Sequence, residues 1–397
     1  MLSVDKALAT ILDGVAPVEA ETVALTELTD RIAAASVKAR MTQPPFAASA
    51  MDGYAVQIDD ARRGARLTVI GEAPAGSPFS RAVGAGEAVR IFTGSVIPDG
   101  ADHVVIQEDV KCDRDQILIN EEQTTPRHIR KAGIDFHEGD LLISAGEKFH
   151  EIHCAILAAA NIATVNVVRK PRVALFSNGD ELREPGGQLQ PGQIINSNHY
   201  AVSAMIRRWG GKPDYLGRAS DSEEEIASFF KRAAAADVIV PIGGASVGDY
   251  DFVKSALKKC GGETVFENVA VRPGKPTWFG KLNSARVVGL PGNPASAIVT
   301  AALFVQALVR NLAGQGDFKH GFESARLQGS LPSNGLREAY LRANSIFDET
   351  TERSVVSVAN QDSSLLSPFS RADMLIRRMP NAKTAKEGDE VEIVRLR

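Results

Sequence analysis

Asp237-Val-Ile-Val-Pro-Ile-Gly-Gly-Ala-Ser-Val-Gly-Asp-Tyr-Asp251, running on into Phe252-Val-Lys-Ser-Ala-Leu-Lys-Lys259, is the stretch on which the fold turns. An apolar, β-rich segment ends at Ile242, a Gly-rich turn follows, and a helical pattern begins at Phe252. A strand, a Gly-rich turn and a helix in that order make an anion site. Glycines let the backbone approach a phosphate, and the free N–H groups and dipole of the helix start attract negative charge. Gly243, Gly244, Ser246 and Gly248 are the candidate anion contacts. Asp249 and Asp251 add carboxylates to the Ser246 hydroxyl, oxygen donors suited to a cation beside the anion. Asp249 also suits a plain helix cap. The turn is neither a P-loop, which closes on Gly-Lys-Ser/Thr, nor the dinucleotide fingerprint.

Two further turns follow closely. Arg272-Pro-Gly-Lys-Pro276 sets two cations, Arg272 and Lys275, on a turn that its prolines stiffen. Val287-Val-Gly-Leu-Pro-Gly-Asn-Pro-Ala-Ser296 runs from an apolar strand into a helical segment, 297–312, with Pro291, Asn293, Pro294 and Ser296 at its start. Three such turns within about fifty residues are expected to converge at the carboxyl edge of one sheet, where open α/β folds bind ligands.

Outward from this centre, periodicity organises the chain of 397 residues. Residues 4–14 and 24–35 are helical in pattern. From 47 to 135 the texture is short apolar alternations split by Gly and Pro, such as Arg66–Ile70, Ala88–Phe92, His103–Gln107 and Gln116–Ile119, the mark of a β-rich module. A helical stretch, Glu151–Asn161, leads to Pro171. Strands and helices then alternate from Arg172 to Leu312, as in a parallel α/β layer. After Gly314-Gln-Gly316 short strands return, including Ser354–Val358 and Glu390–Val394, and read as a small barrel or sandwich.

A formal charge of -4 supplies no basic field for nucleic acid. No apolar run approaches a membrane span, and Met-Leu-Ser-Val-Asp-Lys at the start lacks a signal peptide's regions, so a soluble cytoplasmic protein is expected. Cys112, Cys154 and Cys260 are too scattered for a disulfide framework. His150, His153 and Cys154 make no complete zinc set and begin a helix pattern.

The combined motifs resemble the MoeA family, the molybdopterin molybdenumtransferases, which includes the gephyrin E domain. Pro44-Pro-Phe46, Ser49-Ala-Met-Asp-Gly-Tyr-Ala55, Gly71-Glu-Ala-Pro-Ala-Gly76, Arg90-Ile-Phe-Thr-Gly94, Pro98-Asp-Gly-Ala-Asp102 and Gln107-Glu108 carry it near the N-terminus. Gly133-Ile-Asp135, Glu138-Gly-Asp140, Gly179-Asp-Glu-Leu182, Arg337-Glu-Ala-Tyr-Leu-Arg342 and Gln361-Asp-Ser-Ser-Leu365 carry it through the rest. The resemblance implies a multidomain α/β plus β fold. An elongated N-terminal domain (1–46 with 136–170) would hold an inserted β-rich domain (47–135). A three-layer α/β molybdopterin-binding domain (171–315) and a C-terminal β-barrel (316–397) would follow. It also implies a homodimer whose clefts are lined by both subunits, with other enzymes of molybdenum cofactor biosynthesis as partners.

The family's reaction inserts molybdate into adenylylated molybdopterin, with Mg²⁺-dependent release of AMP, in the last step of molybdenum cofactor biosynthesis. Such a site needs cations for the oxyanion, backbone donors for phosphates, and carboxylates for Mg²⁺, which meets phosphates through one or two carboxylates plus waters. The resemblance assigns Asp251 and Glu181 to Mg²⁺, Ser177 and Asp180 to the nucleotide, and Arg272 and Lys275 to anionic charge. Asp52 and Thr93 fall on the pterin or catalytic side, joined by Asp135. Arg342 and Ser363 are expected at molybdate, one by charge and one by hydroxyl. Asp221, in Ala219-Ser-Asp-Ser-Glu223, is a catalytic candidate by family position, though Asp or Ser before three glutamates is also a helix cap.

The chain departs from the family at several places. Asn178 replaces the usual Thr, Asn196 stands where Asp is common, Ala245 replaces Val, and Arg272 replaces Lys, exchanging a point charge for a planar fork. A pterin adenylyltransferase would share the Gly-Gly-Xaa-Ser loop but lacks the β module and the tail. A scaffold role would follow gephyrin's receptor clustering. Tungstate and molybdate have nearly the same size and charge, so the residues do not choose between them.

Overall fold

The computed structural model describes residues 1–244, 252–316, 322–347 and 353–397. The chain divides into two compact units: Met1–Glu21 with Asp30–Ala34 and Val167–Arg397, and Thr22–Thr29 with Ala35–Asn166.

The first unit is built on a six-stranded sheet. In spatial order its strands are Lys212–Ala219, Arg172–Asn178, Val238–Ile242, Ala285–Gly289, Trp278–Leu282 and Glu263–Glu267. The first four run parallel; Trp278–Leu282 is antiparallel to them, and Glu263–Glu267, antiparallel to Trp278–Leu282, again points with the first four. Val238–Ile242 is buried at every position, as a parallel strand covered on both faces must be. Asn198–Arg208 and the 294–312 helical run cover one face, burying Val202, Ile206, Phe304 and Leu308. Glu223–Arg232 and Phe252–Lys259 cover the other with Ile226, Phe230, Val253 and Leu257. Fully burying each such side chain contributes about 1.5–3 kcal/mol. The result is three layers.

Gly289 shows how tightly the sheet packs: a Cβ there would lie 1.9 Å from Trp278 Nε1, so only glycine admits the indole. The helical run expected over 297–312 begins earlier, at Pro294, and contains a π-helical segment, Ala301–Val305. At 19 residues it is the one helix among the described residues long and apolar enough to cross a membrane, but 89% of it is buried. It is the core helix of this unit.

The C-terminal strands close on themselves. Glu338–Phe347 pairs with Arg353–Ser357 on one side and Met374–Arg378 on the other, and Glu323–Gln328 and Glu390–Arg395 complete the ring. Closure makes a five-stranded barrel rather than a sandwich and removes the free edges. Leu327, Val355, Ile376 and Ile393 fill it. Val271–Arg272 adds to Glu338–Phe347 in parallel, so the Arg272-to-Pro276 turn is tied to a barrel strand.

The second unit carries another six-stranded sheet, ordered His103–Ile106, Gly53–Val56, Glu87–Ile91, Arg66–Ala73, Gln116–Ile119 and Val110–Asp113. Its two faces pack Val56, Leu67 and Ile117 on one side and Ala55, Val89 and Val104 on the other. The helix expected over residues 24–35 does not form. Leu25–Glu27 makes a single 3-10 turn, and Asp30 then adopts φ +66°, a left-handed conformation that stops helix propagation. The apolar residues that suggested a helix, Leu28 and Ile32, are buried without one.

Candidate functional site

The strand order of the α/β sheet reverses about Arg172–Asn178: the chain passes next to Lys212–Ala219 on one flank, then to Val238–Ile242 on the other. Such a switch point leaves a crevice at the carboxyl ends of the strands. A cavity of about 490 Å³ opens there. Ser177, Asn178 and Glu181 line it from one strand end, Ile242, Gly243 and Gly244 from the next, and Pro291, Gly292, Asn293 and Pro294 from the third. Ile195, Asn196, Ser197 and Asn198, together with Pro276 and Ser364, complete the wall. The convergence expected of the three turns is therefore present, with Pro276 as the lining residue of the Arg272-to-Pro276 turn.

The Gly-Gly turn is fitted against Asn178. Gly243 has φ +102° and Gly244 φ +67°; a Cβ on either would lie 2.6 Å from the Asn178 carbonyl or side-chain oxygen. Asn178 is 5% exposed, and its Nδ2 donates to Asp221 Oδ1 at 3.0 Å. The Asp180 N–H reaches Asp221 Oδ2, and the Asp221 N–H returns to Asp180 Oδ1, both at 3.4 Å. Asp221 thus laces two adjacent strand ends together. The cap of helix Glu223–Arg232 is Ser222, whose side chain accepts from the Glu225 N–H. Ser246, Gly248 and Asp251 lie outside the described residues.

Glu181 lines the cavity, and its carboxylate is folded back over Gly179, where a Cβ would meet Glu181 Oε2 at 2.5 Å. Arg272 and Lys275 are exposed on their turn. Ser296 is buried in the core helix, where its carbonyl accepts from the Thr300 hydroxyl at 2.8 Å. The first free amide of that helix, the Ala295 N–H, donates to the Ser363 carbonyl at 3.0 Å, and Asn293 Nδ2 reaches Ser363 Oγ at 3.4 Å. The barrel loop carrying Ser363 and Ser364 is thereby seated on the helix start. Part of the donor set expected for an anion at 291–296 is used internally.

Arg342 is 2% exposed. Its Nη1 donates to the Leu365 carbonyl at 2.8 Å, and its Nη2 to the carbonyls of Asn360 at 3.1 Å and Asp362 at 3.0 Å. The guanidinium holds the 360–365 loop from behind.

Beneath the cavity floor runs a polar network absent from the sequence reading. Ser177 Oγ donates to Asn196 Oδ1 at 2.9 Å, and Asn196 Nδ2 donates to Tyr215 Oη at 2.6 Å and Glu184 Oε1 at 3.0 Å. Tyr200 donates to Glu184 Oε2 at 3.2 Å, and His199 stacks on Tyr215 with centroids 3.6 Å apart. Burial pushes the Tyr215 phenol up and holds the His199 imidazole below its ordinary range, against the pull of Glu184. Ser177 and Asn196 were singled out in the chain, but Glu184, Tyr200 and Tyr215 carry no motif that would join them. Asn198 was missed too; its Nδ2 donates to the Gly292 carbonyl at 2.6 Å.

In the second unit Asp52 and Thr93 meet directly. Asp52 Oδ1 accepts from the Thr93 N–H at 2.8 Å and from Thr93 Oγ1 at 2.9 Å. These bonds, backed by the Arg90 charge, hold the Asp52 carboxyl below its ordinary range. Arg90 spans the rings of Tyr54 and Phe92 and donates to the Gly53 carbonyl.

Comparison with known proteins covers the whole chain. Residues 2–161 match the family described as MoeA N-terminal region (domain I and II). Residues 174–311 match the probable molybdopterin binding domain, and 324–396 the MoeA C-terminal region (domain IV). A molybdopterin molybdenumtransferase of Haemophilus influenzae is 36% identical over 99% of this chain and 98% of its own. One from Nostoc is 37% identical over 81% and 76%. A solved MoeA structure from Pyrococcus horikosii superposes with a TM-score of 0.86 at 32% identity, covering 100% of this chain and 99% of that one.

Proposed function

The chain belongs to the MoeA family, and we propose that it inserts molybdate into adenylylated molybdopterin with release of AMP. As a molybdopterin molybdenumtransferase it acts in the last step of molybdenum cofactor biosynthesis. The observation that carries the finer reading is the 490 Å³ cavity at the switch point, walled by three strand ends that each bring a Gly-, Asn- or Ser-bearing turn.

The residues divide the substrate among them. The turn at Gly243 and Gly244, continued by Ser246 and Gly248, offers backbone donors to the pyrophosphate. Ser177 and Asp180 take the nucleotide, with Asp221 fixing the loop that carries Asp180. Pro291, Asn293 and Pro294 shape the opposite wall, with Ser296 buried in the helix behind them. Arg272, Lys275 and Ser363 receive molybdate, and Arg342 holds the loop beneath Ser363. Asp52 and Thr93 serve the pterin or catalytic side.

Magnesium fits the donors present. Glu181 lines the cavity and makes neither a hydrogen bond through its carboxylate nor an ion pair among the described residues. With Asp251 it supplies the one or two carboxylates that Mg²⁺ takes beside phosphates and waters. When bound, the ion supplies charge neutralisation at the phosphoanhydride. The same family resemblance supports a homodimer working in the cytoplasm alongside other enzymes of the pathway.

The test is AMP release from adenylylated molybdopterin with Mg²⁺, with and without molybdate, for the wild type, Asp251→Ala and Glu181→Gln. Molybdate-dependent release by the wild type, lost in both variants while substrate still binds, is expected. A folded wild type that releases no AMP would overturn the reading.

A further inference from the structure

We propose that Asn196 is a positioning residue for Ser177, and that Glu184 dictates its orientation; the nucleotide role of Ser177 rests on the function proposed above. An amide can face either way, and the chemistry of its neighbours decides which. Glu184 is half-exposed, and its carboxylate only accepts. The Asn196 nitrogen therefore faces Glu184 Oε1, at 3.0 Å, and the amide oxygen must face Ser177 Oγ, at 2.9 Å.

The consequence falls on Ser177. Its proton is committed to Asn196 Oδ1, while the Asn196 nitrogen is held by Tyr215 Oη and Glu184 Oε1. Ser177 then presents a lone pair rather than a proton to the cavity, and so recognises an N–H or O–H donor on the ligand. Asn196 is 3% exposed, so its rotation is not relaxed by water.

The arrangement also accounts for amide in place of carboxylate at this position. An Asp at 196 would set a buried carboxylate against Glu184, with Tyr200 and His199 the other titratable groups at Glu184 and Tyr215 facing residue 196 itself. Like charges at that separation raise a carboxyl pKa. Asn196 and Glu184 are a matched donor–acceptor pair, and the match is restored by exchanging both chemistries.

The test compares the wild type, Asn196→Asp and the double variant Asn196→Asp/Glu184→Gln, the last returning an amide donor opposite a carboxylate. Thermal unfolding is followed at about pH 5 and about pH 8, and AMP affinity by calorimetry. Because the introduced carboxyl is raised in the folded state, Asn196→Asp is expected near the wild type at the lower pH and less stable at the higher. Its AMP affinity at about pH 8 should drop about tenfold or more, and the double variant should recover both. A pH-independent Asn196→Asp, or a double variant no better than the single, would overturn the pairing. Recovery of stability without recovery of AMP affinity would overturn the positioning of Ser177. A wild type that binds no AMP removes the nucleotide reading of the cavity and with it the role assigned to Ser177, while the unfolding arm still decides the Asn196–Glu184 pair.

Discussion

Arg342 and Gln361 clasp one another: the Arg342 N–H donates to Gln361 Oε1 at 3.0 Å, and Gln361 Nε2 returns a bond to the Arg342 carbonyl at 2.9 Å. The guanidinium adds three bonds to carbonyls of the same loop. Lysine keeps the charge but has no planar fork to reach all of them. Arg342→Lys should cost about 1–3 kcal/mol in local opening of residues 358–366, measured by hydrogen exchange, since part-buried carbonyls lose their charged donor. Molybdate-dependent turnover should fall with it. An enzyme as active as the wild type would mean that charge alone is required.

The Asp52–Thr93 contact sets a pH response. The bonds from Thr93 hold the Asp52 carboxyl low, so this group favours the folded state above its unfolded pKa, and that contribution is lost as pH falls through the depressed folded value. In Thr93→Val the hydroxyl bond disappears and the Asp52 pKa should move back toward the ordinary carboxylate range. Carboxyl carbon chemical shifts against pH would register it, and an unmoved titration would sink the assignment.

His103 is fully buried, its Nδ1 accepting from the Arg127 N–H at 2.9 Å. Burial, with His128 and Arg127 nearby, lowers its pKa to about 4. The unfolded imidazole binds its proton near pH 6.5, so the folded form loses stability as pH falls from there to about 4. On the order of 2–3 kcal/mol is expected from this residue. His103 should be the last histidine to titrate in NMR, and a midpoint near neutrality would contradict the burial argument.

Gly244 sits at φ +67°, with Asn178 and the Val253 methyl both 2.6 Å from where a Cβ would be. Gly244→Ala should therefore displace Asn178 and the turn together, costing about 1–3 kcal/mol and weakening AMP binding by more than tenfold. Calorimetry on the folded variant checks it. Unchanged affinity would show that the turn does not contact the nucleotide.

Much of this was legible in the chain. Val238–Ile242, the Gly-Gly turn and the Phe252 helix could be read because strand, turn and helix each have a local signature. Asp221 was singled out by family position with a helix cap as the competing role; Ser222 makes that cap, and Asp221 instead bonds Asn178 and Asp180. Residues 24–35 misled because Leu28 and Ile32 are buried by tertiary contact, while a left-handed residue at Asp30 breaks any helix.

The sequence by itself determined the order of elements, the reversal of texture at Pro171 and Gly314, and which turns carry glycine, hydroxyl and charge. These depend on residues near one another in the chain, whose periodicity and backbone preferences act locally. Periodicity left barrel and sandwich open and the family resemblance implied a barrel; the closure itself depends on Glu338–Phe347 pairing with both Arg353–Ser357 and Met374–Arg378. Tertiary structure alone turned Arg342 inward onto carbonyls, seated Ser363 on the Ala295 amide, and joined Ser177, Asn196 and Glu184 into one network. A buried donor's partner is fixed by which groups the packed core leaves unsatisfied, and that is settled only when distant segments meet.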